Sequence, residues 1–202
     1  MLGSISPVGE TSRSQRWWLT AGAYSAASTM AGAATGAVLG AVGQMLARLV
    51  PVAALVRLLA LGVALVAAAV ADAVAHGRLP TWHRQVDERW LATYRGWVYG
   101  TGFGAQLGVG VVTIVASAAT YAMLVAALLS ASWRGGLLVG TAYGAARSVP
   151  LLLMVTVRST DRLYAVTRRV AESEPWVHRL TVAAQGTLAV VVLVAALAMS
   201  AP

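Results

Sequence analysis

Five long apolar stretches, separated by short connections that carry the arginines, constrain this chain more than any other feature. They run over about residues 19–45, 52–75, 102–129, 135–157 and 180–200. Each meets the ~20 residues an α-helix needs to cross a hydrocarbon core. Composition agrees: 58% of the 202 residues are hydrophobic, 11% are charged, and the mean hydropathy is +0.72. Soluble domains carry about 25% charged residues, and a chain this short leaves too much surface in water to hide so many apolar groups. A soluble enzyme and a disordered tail are both excluded. The expected fold class is an all-α membrane protein, a polytopic helical bundle of about five transmembrane helices with two interfacial amphipathic helices. Helices are required because a backbone in lipid must satisfy its own polar groups.

Residues 19–200 read as a single transmembrane domain behind a polar, irregular cytoplasmic N-terminus, residues 1–18, which contains Gly3, Pro7 and Gly9. No signal peptide is read there, because the first apolar stretch is too long and no cleavage site follows it. Arginine placement sets the orientation. With the N-terminus inside, the cytoplasmic face holds Arg13, Arg16, Arg78, Arg84, Arg89, Arg95, Arg158, Arg162, Arg168, Arg169 and Arg179. Only Arg48 and Arg134 lie outside. The positive-inside rule therefore places the protein in the cell (plasma) membrane as a multi-pass protein, N-terminus cytoplasmic and C-terminus outside.

Both long inner connections read as membrane-surface helices. In the first, Thr81 is placed to cap a helix on which Trp82, Val86, Trp90, Leu91, Tyr94 and Trp97 form an apolar stripe. Trp and Tyr favour the headgroup level because their rings are amphipathic. In the second, Leu163, Val166 and Val170 form a weaker stripe that Glu174-Pro175 is expected to end.

Packing between the spans is expected to rest on small residues. Gly32, Gly36, Gly40 and Gly43 share one face of the first span, Gly136, Gly140 and Gly144 one face of the fourth, and Gly104 and Gly108 one of the third. Helices in lipid gain little from hiding apolar groups, so close backbone approach supplies the attraction. The run Gly100-Thr-Gly-Phe-Gly104 reads as a flexible entrance to the third span, because it lacks the strand–turn–helix setting of a dinucleotide fingerprint. The first and third spans exceed the length of a straight crossing, so they tilt or break.

Polar residues inside the spans are the candidate substrate or ion-pair groups: Arg147, Asp72, Gln106 and Tyr143. A charge near the midplane costs roughly 2.5–3.5 kcal/mol on insertion scales and normally faces a cavity or a partner. Arg147, three residues before Pro150, has three readings: a bond to backbone carbonyls such as that of Ala146, contact with an anionic solute, or snorkelling. Asp72 either faces interfacial water beside His76 and Arg78 or pairs with Arg147. Arg57 is expected to snorkel. Gln44, Thr113, Thr120, Tyr121 and Gln185 either line a polar path with these groups or make interhelical hydrogen bonds. No catalytic set emerges, since no nucleophile lies beside a base.

Absent residue types exclude further chemistry. Without cysteine there are no disulfides, thiolate metal sites or dithiol redox steps. All 15 basic residues are arginine, so no lysine Schiff base can form. His76, His83 and His178 all lie in connections, against a haem in the bilayer core. Neither a cofactor nor a metal is expected. The net charge of +8 follows membrane topology rather than nucleic-acid binding, as no basic recognition helix or aromatic-lined groove is present.

The stretch Tyr99-Gly-Thr-Gly-Phe-Gly-Ala-Gln-Leu-Gly108, continued by Gly135-Gly-Leu-Leu-Val-Gly-Thr-Ala-Tyr-Gly144 and Arg147-Ser-Val-Pro-Leu-Leu-Leu153, resembles the CcdA/DsbD-type cytochrome c biogenesis transmembrane family. The resemblance covers about half of the chain and implies a divergent member whose last three spans run in–out, out–in, in–out. The family's Pro-Cys pairs are missing. Its electron-carrying chemistry is therefore impossible here, and only the scaffold is implied.

The expected function is that of a noncatalytic integral inner-membrane protein, an accessory or assembly subunit of a membrane complex. The alternative is a small transporter or channel for an anionic solute that contacts Arg147. Expected partners are the lipid bilayer and a membrane protein or a second copy of the chain.

Overall fold

Among the described residues, four helices are long and apolar enough to cross a membrane, as an integral membrane protein requires. The computed structural model describes residues 5–75, 79–81, 89–112 and 115–200, and every regular element among them is helical. In chain order these are α1 (Pro7–Ser12), α2 (Trp17–Leu49), α3 (Ala54–Ala75), α4 (Trp90–Thr93), α5 (Gly96–Val109), α6 (Ala119–Leu129), α7 (Trp133–Leu152) and α8 (Thr160–Ser200). A 3-10 turn at Leu153–Thr156 extends α7. The helical surfaces are dressed for lipid. Only 17% of the most apolar window of α3 is buried, and Val63, Val74 and Leu197 are each about two-thirds exposed or more (65%, 72% and 65%).

Helix α2 persists although Gly22, Gly32, Gly36, Gly40 and Gly43 lie within it. Each glycine costs about 1 kcal/mol against alanine in a helix. An unsatisfied amide or carbonyl in hydrocarbon costs several kcal/mol, so the helical state wins at every one of these positions.

The described chain forms two compact units. The first contains α1, the beginning of α2, α4, α5 and the stretch from Thr141 to Glu174. Its core is Ile5, Tyr24, Tyr99, Phe103 and Leu151, with Trp90 and Leu91 packed on it. Gly96, Gly100, Gly104 and Gly108 line one face of α5 against α2. A Cβ at Gly104 would fall 2.2 Å from the Tyr24 carbonyl oxygen, and one at Gly108 2.2 Å from that of Ser28. Gly144 of α7 presses on the same Ser28 carbonyl, and the Ser28 hydroxyl donates to the Gly144 carbonyl at 2.9 Å.

The second unit contains the remainder of α2, α3, α6, the start of α7 and α8 from Pro175. Its core is Leu65, Ala68, Ala118, Ala122 and Ala189. Here Gly36 meets Gly136 and Gly140, Gly40 meets Ser132 and Gly136, and Gly43 meets Leu128, with backbone on backbone. The four-residue glycine spacing therefore acts as expected, as contact surface.

Several expectations need correction. The N-terminus is not irregular: Ser6 caps α1 by accepting the Gly9 amide at 3.2 Å, and Pro7 begins the helix. Serine before proline is a helix-start signal, because proline lacks only an amide that would be unpaired there. The third apolar stretch is not one helix. α5 stops at Val109, Gly110 adopts φ 88°, and α6 begins only at Ala119. The glycines of 100–104 are not a flexible entrance, since they lie inside α5 and serve close packing.

Residues 82–88 of the first expected surface helix lie outside the described residues. Beyond them the helix is interrupted, because Tyr94 is extended at φ −114°, ψ 162° and closes α4. Trp90 stacks on Phe103 with centroids 6.1 Å apart, whereas Tyr94 and Trp97 are exposed. The second expected surface helix is not separate either, for α8 continues through Pro175 into the last apolar stretch. Proline removes one hydrogen bond at a cost of ~3 kcal/mol, and the cooperative turns on either side offset it.

Candidate functional site

Asp72 occupies the last turns of α3 and is only 4% exposed. Its carboxylate gathers three donors from two other elements. Oδ1 accepts the Ala118 amide at 2.7 Å; Oδ2 accepts the Ser117 hydroxyl at 2.7 Å and Gln185 Nε2 at 2.9 Å. Ala118 occupies the N-cap position of α6 without a capping side chain, and the Ser117 oxygen accepts the Ala119 amide at 3.1 Å. A carboxylate from α3 thus satisfies the Ala118 amide, which the start of α6 leaves without an intrahelical partner, and holds the Ser117 hydroxyl that accepts the next one. The segment before α6 is held at a second place, where Val115 donates its amide to Thr81 Oγ1 at 2.8 Å. Tyr121, one turn into α6, donates its hydroxyl to the Pro80 carbonyl.

Gln185 projects from α8 and is itself 4% exposed. Its Nε2 is bonded to Asp72, while its Oε1 is buried without a hydrogen-bond partner. The carboxylate fixes that orientation, because exchanging the two amide atoms would set oxygen against oxygen.

Expected site residues are only partly brought together. Asp72 joins Gln185, which sequence offered as a path-lining or interhelical residue. It does not bond to Arg147, and its buried setting replaces the expected exposure to interfacial water; His76 and Arg78 lie outside the described residues. Arg147 is half-buried and donates to the Tyr143 hydroxyl at 2.6 Å, one turn back on α7, with its guanidinium 5.5 Å from the Tyr143 ring centroid. Its bond goes to that phenol rather than to the Ala146 carbonyl. Gln106 is half-buried on α5 and Gln44 half-buried on α2, while Thr120 is buried near the start of α6. Arg57 is half-buried, and its Nε has no hydrogen-bond partner. Thr113 lies outside the described residues. Ser117 was missed by sequence reasoning, and its place directly before a run of good helix formers is the signal that marks it as a capping residue.

A second polar cluster was missed altogether. Glu10 is fully buried in the first unit. Its Oε1 accepts Arg13 at 2.8 Å and the Tyr99 hydroxyl, and its Oε2 accepts the Thr20 hydroxyl at 2.6 Å. Nearby, Gln15 Oε1 accepts the Gly96 amide at 3.1 Å. Burial by itself lowers the Arg13 pKa, but the hydrogen bond to Glu10 and the charges around it outweigh this and hold it above the ordinary value. Both carboxylate oxygens of Glu10 are satisfied, so the cluster reads as a clasp fixing α1 to α2 and α5.

Each cluster sets a hydroxyl against a carboxylate, Ser117 on Asp72 and Thr20 on Glu10, and no group of three or more His, Cys, Asp or Glu gathers among the described residues. What the Asp72 cluster offers is a buried negative charge beside an unsatisfied amide oxygen. No protein-family model, curated protein or solved structure matches the chain.

Proposed function

We propose that this protein is a small membrane transport protein whose working site surrounds Asp72, beside the break in its third apolar stretch. One observation carries the reading: α5 ends at Val109 and α6 begins only at Ala119 within one apolar stretch, and a buried carboxylate bonds to Ser117 and Ala118 just before α6. Irregular backbone at membrane depth persists only where protein buries it or where it lines a water-filled cavity. Transporters use this device, bringing half-helix ends and unwound backbone to their substrates and coupling ions. An ionisable residue inside a span supports the same reading, because its insertion cost is tolerated mainly along ion and substrate pathways.

Asp72 takes the central place expected of Arg147, because two other elements bond to Asp72 whereas Arg147 bonds within its own helix. The arginine distribution supports a plasma-membrane location with a cytoplasmic N-terminus. A proteoliposome assay with radiolabelled sodium, chloride and sulfate tests the proposal. Wild-type flux above that of protein-free liposomes is expected for at least one ion, falling about tenfold or more in Asp72→Asn. Flux at the protein-free level for all three overturns the transport reading and returns the accessory or assembly role.

A further inference from the structure

We propose that Asp72, Gln185 and Ser117 form a binding site for one monovalent metal cation of sodium's size. The inference deepens the transport reading and rests on it for the site's purpose, although binding is measurable without transport. Three observations on the same few atoms support it.

First, Asp72 is buried and bonds to no arginine or histidine among the described residues; their ion pairs join Arg13 to Glu10 and Arg168 to Glu172. Second, the N-terminus of α6 offsets only part of that charge, because a helix end is equivalent to about half an elementary charge. Third, Gln185 Oε1 is an acceptor with no donor, buried on the same amide whose nitrogen touches the carboxylate. An unsatisfied buried acceptor costs ~1–3 kcal/mol, and a cation relieves this cost and the carboxylate's remaining charge together.

The chemistry of the donors selects the ion. All are oxygens, which suits a hard cation and excludes soft metals. A single carboxylate matches a single positive charge, whereas calcium sites gather several carboxylates and carbonyls.

The experiment is sodium binding to the detergent-solubilised full chain, read by thermal unfolding and by ²³Na line broadening. Sodium chloride, potassium chloride and N-methylglucamine chloride are compared at equal ionic strength. Sodium is expected to raise the melting temperature by roughly 5 °C near saturation, and the other two by much less. Gln185→Met removes the orphan oxygen at similar volume. It also removes the Nε2 donor to Asp72, so it should unfold at a somewhat lower temperature without sodium and lose the sodium response; Asp72→Asn should lose the response too. A wild-type response equal in all three salts overturns the proposal, whether or not either variant folds, and assigns Gln185 Oε1 to a bound water. A sodium response retained in Gln185→Met overturns it as well. Sodium binding without flux leaves the site standing and removes the transport reading; flux without sodium binding does the reverse.

Discussion

Ser28 and Gly144 are joined in both directions: the serine hydroxyl donates to the glycine carbonyl at 2.9 Å, and a Cβ on Gly144 would lie 2.3 Å from the serine carbonyl oxygen. The hydrogen bond and the missing side chain serve one purpose, which is to let α2 and α7 approach until backbone touches backbone. The same solution recurs at Gly104 and Gly108 in the first unit and at Gly36 and Gly136 in the second.

Glycine substitution separates contact from mere composition. A Cβ at Gly36 would meet the Gly136 carbonyl oxygen at 2.1 Å, whereas nothing lies within 4 Å of one at Gly22. Gly36→Val is expected to cost about 2–3 kcal/mol or more through forced backbone separation. Gly22→Ala in the same helix should be neutral or stabilising by about 0.5–1 kcal/mol. Unfolding of the two variants in mild detergent compares them directly, and equal effects would count against the glycine contacts.

Removing the Asp72 carboxylate strands three donors at once. Asp72→Ala is expected to destabilise the protein by ~2–4 kcal/mol, combining the loss of a helix cap with buried unsatisfied groups. Asp72→Asn keeps one acceptor oxygen and should cost less. Denaturant-dependent helix loss by circular dichroism ranks the pair, and the opposite order would contradict the hydrogen-bond assignment.

The Glu10 clasp is open to a double-mutant cycle. Glu10→Gln breaks the pair with Arg13, and the expected cost is about 2–3 kcal/mol. That is below the 3–5 kcal/mol of a fully buried pair because the Arg13 side chain keeps 28% exposure. Tyr99→Phe should cost about 1.5 kcal/mol, as expected for a hydrogen bond to a charged group. The double variant should cost less than the sum, and strict additivity would argue against direct contact.

Threading is testable without first removing cysteines, because the chain has none. A cysteine at Ser132, beside the start of α7, should react with a membrane-impermeant maleimide added to intact cells. A cysteine at Ser159, before α8, should react only after the cells are opened. The reverse pattern would invert the orientation drawn from the arginines.

Much of the fold was legible because membrane chemistry is demanding at the level of single segments. Length, apolar content and the scarcity of charge marked α2, α3, α7 and the end of α8. A four-residue glycine spacing puts its members on one helical face whatever the partner, so the packing surfaces at Gly36, Gly40, Gly136 and Gly140 followed from spacing alone. The capped start of α1 was also present, in Ser6-Pro7, although polar composition masked it.

Tertiary structure decided the break and the site. Nothing local marks Gly110 as the place where α5 stops, since it is one glycine among several in that stretch and the others are helical. α6 begins where Asp72 replaces the missing intrahelical partner of the Ala118 amide, 46 residues away in sequence. Gln185 reaches the same carboxylate from 113 residues away. A hydrogen-bond acceptor brought from a distant helix is what makes leaving the helical ladder affordable inside a membrane, and sequence spacing carries no record of such a meeting.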